Sequence, residues 1–145
     1  MTGFLLDTNV ISETAPACPS RDRAVIRWLE VRTDKLFLSV VTVAEIEAGI
    51  AYAARREAHR EAALLSDWLD AVLALYGDRI LPLKLDAART AGQLSGKARA
   101  AGLSPSFADI AIAATAMQYG LTVLTKNLRH FQPLGIAVLD PFLDS

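Results

Sequence analysis

Phe4-Leu5-Leu6-Asp7-Thr8-Asn9 sets the fold: an apolar run short enough for a buried strand stops at a carboxylate, where small polar residues open a helix. A similar order recurs at Leu38-Ser39-Val40-Val41, with Glu45 just beyond it. Short runs rich in branched residues lie at Gly3 to Leu6, Leu36 to Val41, Ile80 to Leu83 and Thr122 to Leu124, and a last strand is expected in Ile136 to Leu139. Between them, helical spacing covers about 21–32, 43–76 with a break near Arg55 to Arg60, 85–101, and 105–119. Strand and helix in alternation predict an α/β sandwich, a mainly parallel sheet of about four to five strands covered by helices.

Punctuation supports this division. Gly77-Asp78 ends one helical stretch and Gly102 the next, Ser104-Pro105 reads as an N-cap with proline at the first helical position, and Gly120 closes the helix before Thr122. Nothing in the chain reads as an interdomain linker, an internal repeat or a low-complexity tract.

At 145 residues, 52% of them hydrophobic and 21% charged, the chain has the size and composition of a single globular domain with a substantial core. A formal net charge of −1 supplies no broad cationic field, so a nucleic-acid partner would need a local basic patch or bound metal. Cys18 is the one cysteine, in the loop-like Pro16-Ala17-Cys18-Pro19, which excludes an intrachain disulfide and a thiolate zinc cluster and points to a reducing cytoplasm. The N-terminus shows no basic leader, and no window reaches the ~18 charge-free apolar residues of a membrane span. The expectation is a cytoplasmic protein without membrane attachment.

In a parallel sheet with right-handed crossovers, ligand sites form beyond the carboxyl ends of the strands. Asp7 and Glu45 each follow a strand and open a helix, which puts both at that edge. Asp109 comes near the start of a helix that precedes a strand, so the same edge receives it; Lys126-Asn127 arrives directly after Thr122 to Leu124. Each acid has a purely structural alternative. Asp7 can cap its helix, Thr42-x-x-Glu45 is a capping-box pattern, and Asp109 fits another with Ser106, although the Ser104-Pro105 start would place Asp109 past the first turn. The charge-free stretch from Ile110 to Tyr119 marks a buried helix, where a carboxylate needs a partner to stay ionised. Three acids gathered at one edge repel one another, and a hard cation removes that repulsion. Carboxylates without histidine or thiolate select Mg²⁺ or Mn²⁺, and the chemistry that follows is metal-assisted hydrolysis of a phosphate ester.

At these residues the chain resembles PIN-domain ribonucleases, and more narrowly the toxins of VapBC-type toxin–antitoxin modules. The resemblance is carried by Leu5-Leu6-Asp7-Thr8-Asn9-Val10-Ile11-Ser12-Glu13, Ser39-Val40-Val41-Thr42-Val43-Ala44-Glu45-Ile46, Ala108-Asp109-Ile110-Ala111-Ile112-Ala113-Ala114-Thr115-Ala116 and Leu124-Thr125-Lys126-Asn127-Leu128-Arg129-His130-Phe131, in that order through nearly the whole chain. It implies one PIN-like nuclease domain over 1–145, a three-layer sandwich, and endonucleolytic cleavage of RNA with Mg²⁺ or Mn²⁺. Asp7, Glu45 and Asp109 would be the metal-binding catalytic acids, and Asn127 would take the family's fourth position. Because Asn127 is neutral, three acids and one firmly held metal are expected; His130 stands where many members carry aspartate. Thr8, Asn9, Ser39 and Thr42 suit hydrogen bonds to the acids, phosphate contacts or plain helix capping. Lys126, Arg129 and His130 flank the site loop as candidate phosphate contacts, whereas Arg55, Arg56 and Arg60 suit a solvated face, an antitoxin contact or the RNA backbone. The partners so implied are RNA, a small antitoxin protein and a second copy of the chain.

Other readings compete. A haloacid-dehalogenase-like phosphatase needs Asp-x-Asp after the first strand, and Asn9 occupies the third position here. A housekeeping PIN nuclease of RNA processing and a non-catalytic PIN-like interaction domain share the fold, and the second predicts eroded acids.

Overall fold

The computed structural model describes residues 3–16 and 22–144; Cys18, expected in a loop, lies outside them. In chain order the elements are β1 (Phe4–Leu6), α1 (Thr8–Ile11), α2 (Arg23–Glu30), β2 (Leu36–Ser39), α3 (Val40–Arg55), α4 (His59–Tyr76), β3 (Ile80–Leu81), α5 (Leu85–Ala100), α6 (Phe107–Tyr119), β4 (Thr122–Leu124), α7 (Leu128–Phe131), β5 (Val138–Leu139) and α8 (Pro141–Asp144), with short 3-10 turns between some of them. The strands form one five-stranded sheet in the order β3-β2-β1-β4-β5, and every neighbouring pair is parallel. The expected α/β sandwich is therefore observed.

Two adjacent residues of β1 show how the layers are built. Side chains alternate across a strand, so Leu5 enters one core with Val123, α5 and α6, while Leu6 enters the other with Leu124, α2, α3 and α4. Both leucines are fully buried. Helix α6 is buried from Ile110 through Ala116, as a helix without a polar stripe must be.

The sheet order also fixes where a site can form. From central β1 the chain moves to β2 and β3 on one side, then returns to β4 and β5 on the other. The crevice outside the carboxyl ends of β1 and β4 is thus the switch point of the sheet, the place where open α/β folds bind ligands. The Asp7 amide continues the ladder there, donating to the Leu124 carbonyl at 2.9 Å.

Two helix starts differ from expectation. Strand β2 stops at Ser39, whose hydroxyl accepts from the Val41 amide at 3.0 Å and starts α3 at Val40, where the sequence suggested strand through Val41. A hydroxyl cap outweighs the β preference of two valines because it satisfies an otherwise orphaned amide. In α6 the cap is Ser106, which accepts from the Asp109 amide at 3.1 Å, so Ser104-Pro105 precedes the helix and Asp109 belongs to its first turn. The break expected near Arg55 to Arg60 is real: α3 ends at Arg55, Glu57 takes a positive φ of 61°, and α4 begins at His59. No helix among the described residues is long and apolar enough to cross a membrane.

Candidate active site

Asp7 is held in place before any ligand arrives. It caps α1, with Oδ1 accepting from the Thr8 amide at 2.8 Å. Its Oδ2 accepts from the Thr125 hydroxyl at 2.8 Å and from the Asn9 amide nitrogen at 3.2 Å. The side chain thus both caps a helix and ties the end of β1 to the loop after β4. Burial lifts its pKa above the usual carboxylate value of 3.8, and the nearby negative charges of Asp109 and Glu45 add to that rise, while the bonds from Thr125 and Thr8 oppose it. Those two charge effects show that all three acids share one neighbourhood.

Glu45 lies in the second turn of α3, so the Thr42-x-x-Glu45 capping box does not form. Its carboxylate Oε1 instead accepts from the Thr8 hydroxyl, joining α3 to the first residue of α1. Thr42 is fully buried, and its hydroxyl is the one buried side-chain polar atom without a hydrogen-bond partner among the described residues.

Asp109 forms only half of a capping box. Its backbone amide goes to Ser106, but its Oδ2 points to His130 Nδ1 at 3.3 Å, which is the partner that the apolar helix could not supply. The Asp109 side chain keeps 18% of its surface exposed, so the carboxylate remains open to solvent. Between these residues and the outside runs a cleft of about 360 Å³ lined by Leu103, Ser104, Pro105, Arg129, Pro133 and Leu134 as well as Ser106, Asp109 and His130.

The loop after β4 is organised by hydrogen bonds. The Asn127 amide donates to Thr125 Oγ1 at 2.9 Å, and the Lys126 amide donates to Asn9 Oδ1 at 3.2 Å. The Asn127 side chain makes no capping bond to α7, which leaves its amide oxygen free of that structural duty. The Lys126 ammonium turns to Glu13 Oε2 at 3.3 Å and stands over the Phe142 ring, 4.3 Å from its centre. Glu13 is not singled out by the sequence motifs, yet it meets this loop. It is 2% exposed and accepts from the Asp22 amide at 2.9 Å, and its sequence signal is an acid closely following the apolar pair Val10-Ile11.

Arg55, Arg56 and Arg60 do not join the acids. Helix α3 leaves the site edge and runs about 24 Å, so its C-terminal arginines reach the opposite edge of the sheet, where Arg56 pairs with Glu61 and stands near the Tyr52 ring.

Among the described residues no group of three or more His, Cys, Asp or Glu side chains is arranged to hold a metal ion. The donor set nevertheless suits one class of ion. Mg²⁺ takes one or two carboxylates and keeps several waters, and here carboxylate oxygens, a primary amide and hydroxyls surround an acid whose charge is already disfavoured.

A PIN domain model matches residues 4–134. The VapC ribonuclease Y4jK of Sinorhizobium fredii is 36% identical over 141 residues, 96% of this chain and 97% of that protein. Toxin FitB of Neisseria gonorrhoeae is 36% identical over 143 residues, 97% of this chain and 99% of its own. The crystal structure of FitAcB from the same organism superposes with a TM-score of 0.84 at 35% identity, covering 96% of this chain and 98% of that one. The chain belongs to the PIN-domain family, among its VapC-type members.

Proposed function

We propose that this chain is the toxin of a toxin–antitoxin pair, an endoribonuclease that hydrolyses RNA phosphodiesters at the edge where Asp7, Glu45 and Asp109 meet. The observation that carries the reading is the bonded arrangement at the strand ends, where Thr8, Asn9 and Thr125 hold the buried Asp7 carboxylate and Thr8 also donates to Glu45. Burial disfavours the negative charge of Asp7, and a cation beside it would offset that cost. Asp7, Asp109 and Glu45 would hold Mg²⁺ or Mn²⁺, with Asn127 contributing at most a neutral oxygen. When bound there, such an ion supplies a water of lowered pKa and compensates negative charge on the phosphate oxygens.

The remaining work falls to the chain's own residues. Three hydrogen bonds fix both oxygens of Asp7, so the carboxylate has little freedom left to lose on binding. Thr8 restrains Glu45, and His130 restrains Asp109. Arg129 and His130 stand beside Asp109 with exposed side chains, suited to the RNA backbone. Relatives named as a VapC ribonuclease and as a toxin support the activity and a small antitoxin partner. The homodimer rests on the family resemblance alone, and cytoplasmic location on the reading of Cys18 as a lone cysteine.

Purified protein should cleave single-stranded RNA with Mg²⁺ or Mn²⁺ and stop on chelation. Asp7→Asn or Asp109→Asn should reduce kcat/KM about a thousandfold, because several kcal/mol of charge stabilisation is lost. Cleavage by either variant at the wild-type rate would overturn the assignment, and calorimetry showing no Mn²⁺ binding at millimolar metal would favour a non-catalytic interaction domain.

A further inference from the structure

The cleft beside Asp109 includes that acid in its wall and neither Asp7 nor Glu45. Its volume of about 360 Å³ lies at the small end of ligand-sized sites. Its lining has three chemical parts. Pro105, Pro133, Leu103 and Leu134 give flat apolar surface, Ser104 and Ser106 give hydroxyls, and Arg129 with His130 gives planar nitrogen donors at the end nearest Asp109. Flat apolar and guanidinium surfaces stack on unpaired bases, and hydroxyls read base edges. A cation beside an acid suits a strand whose phosphate lies at the acids and whose next base turns away from them.

We infer that this cleft is a nucleotide subsite: it seats one unpaired base of the RNA, adjacent to the scissile phosphate, and so sets the sequence preference of cleavage. The inference rests on the nuclease reading and adds a specificity-determining surface formed by the 103–106 and 129–134 segments. Charge complementarity selects nucleic acid over an apolar peptide, since Arg129 and His130 line the cleft and Asp109 is the sole acid in the lining.

Ser104 is exposed and makes no core contact, so Ser104→Trp fills the cleft without disturbing the fold, which an unchanged melting temperature would verify. Cleavage positions on a randomised single-stranded RNA pool are then mapped for wild type and variant. The expected result is that one position flanking the cut loses its base preference by about tenfold, the size of one lost base stack. Independently, titrating chelator-treated wild-type protein with the four 5′-mononucleotides should shift the methyl resonances of Leu103 and Leu134, and Ser104→Trp should abolish those shifts. If wild type cleaves RNA but the variant keeps the same preference, or if nucleotides leave both leucines unmoved, the subsite is wrong while the nuclease reading stands. Methyl shifts produced by an antitoxin-derived peptide and by no nucleotide would also overturn it. Failure of wild type to cleave any RNA, with nucleotides still shifting the leucines, would instead remove the nuclease reading.

Discussion

Thr125 Oγ1 donates a 2.8 Å hydrogen bond to Asp7 Oδ2 from a fully buried position, so a hydroxyl after β4 fixes the acid after β1. The same oxygen accepts from the Asn127 amide at 2.9 Å. Thr125→Val keeps the shape and removes both bonds, which should cost about 1–2 kcal/mol of stability. It also removes the largest influence that lowers the Asp7 pKa. The acid limb of the pH–rate profile should therefore move to higher pH, with kcat/KM at neutral pH reduced about tenfold. A profile that does not move would show that Asp7 does not govern that limb.

The raised pKa of Asp7 has a consequence for stability. In the unfolded chain the carboxyl titrates near 3.8, and in the folded protein it holds its proton to higher pH. Between those values the native state binds more protons, so stability falls as pH rises through the folded pKa. In metal-free buffer Asp7→Asn should melt at a higher temperature than wild type at pH 7, and the difference should vanish below about pH 4. Thermal melts with chelator across that range measure it. An excess of Mg²⁺ should narrow the gap at pH 7 by stabilising only the wild type.

How far the sequence carried is clearest at particular residues. Leu5 and Leu6 could be assigned to opposite faces from strand period alone, and the alternation of elements gave a parallel sheet whose edge collects Asp7, Asp109 and Lys126-Asn127. Helix starts were less readable, because Ser39 and Ser106 compete as caps with neighbouring Thr42 and Ser104, and the winner depends on where the strand before or the packing after fixes the backbone. The Glu13–Lys126 pair was out of reach, since its partners are 113 positions apart and only the parallel pairing of β1 with β4 brings them together. That pair fixes where the Lys126 ammonium lies.

Glu13 is expected to support the site from outside it. Its carboxylate holds the Lys126 ammonium, whose backbone amide reaches Asn9, which in turn donates to Asp7. Glu13→Ala should lower stability by about 1–2 kcal/mol, mainly because the Asp22 amide loses its acceptor, while the exposed Lys126 ammonium is screened by water. Glu13→Gln keeps the shape and the acceptor for the Asp22 amide, and should lower it less. If the chain of bonds positions Asp7, both variants should reduce kcat more than they raise KM at a temperature where each is fully folded. A change in stability with unaltered kcat would confine Glu13 to the fold.

Thr42 separates a structural cost from a functional use. Its hydroxyl is buried in the turn of α3 before Glu45 without a partner among the described residues, and an unsatisfied buried hydroxyl costs about 1–2 kcal/mol. Thr42→Val preserves volume and removes that cost, so the variant should be more stable than wild type by about 1 kcal/mol, measured by urea unfolding in chelator. A chain that keeps the hydroxyl at such a cost has a use for it, and the use available beside Glu45 is a hydrogen bond to a water or phosphate oxygen present only when the site is loaded. Thr42→Val should accordingly reduce kcat/KM by about tenfold, near the net worth of one hydrogen bond to a charged group. Thr42→Ser, which restores the oxygen, should recover most of that loss despite the cavity it leaves. Full activity in the valine variant would reduce Thr42 to a packing residue whose hydroxyl does nothing at the site.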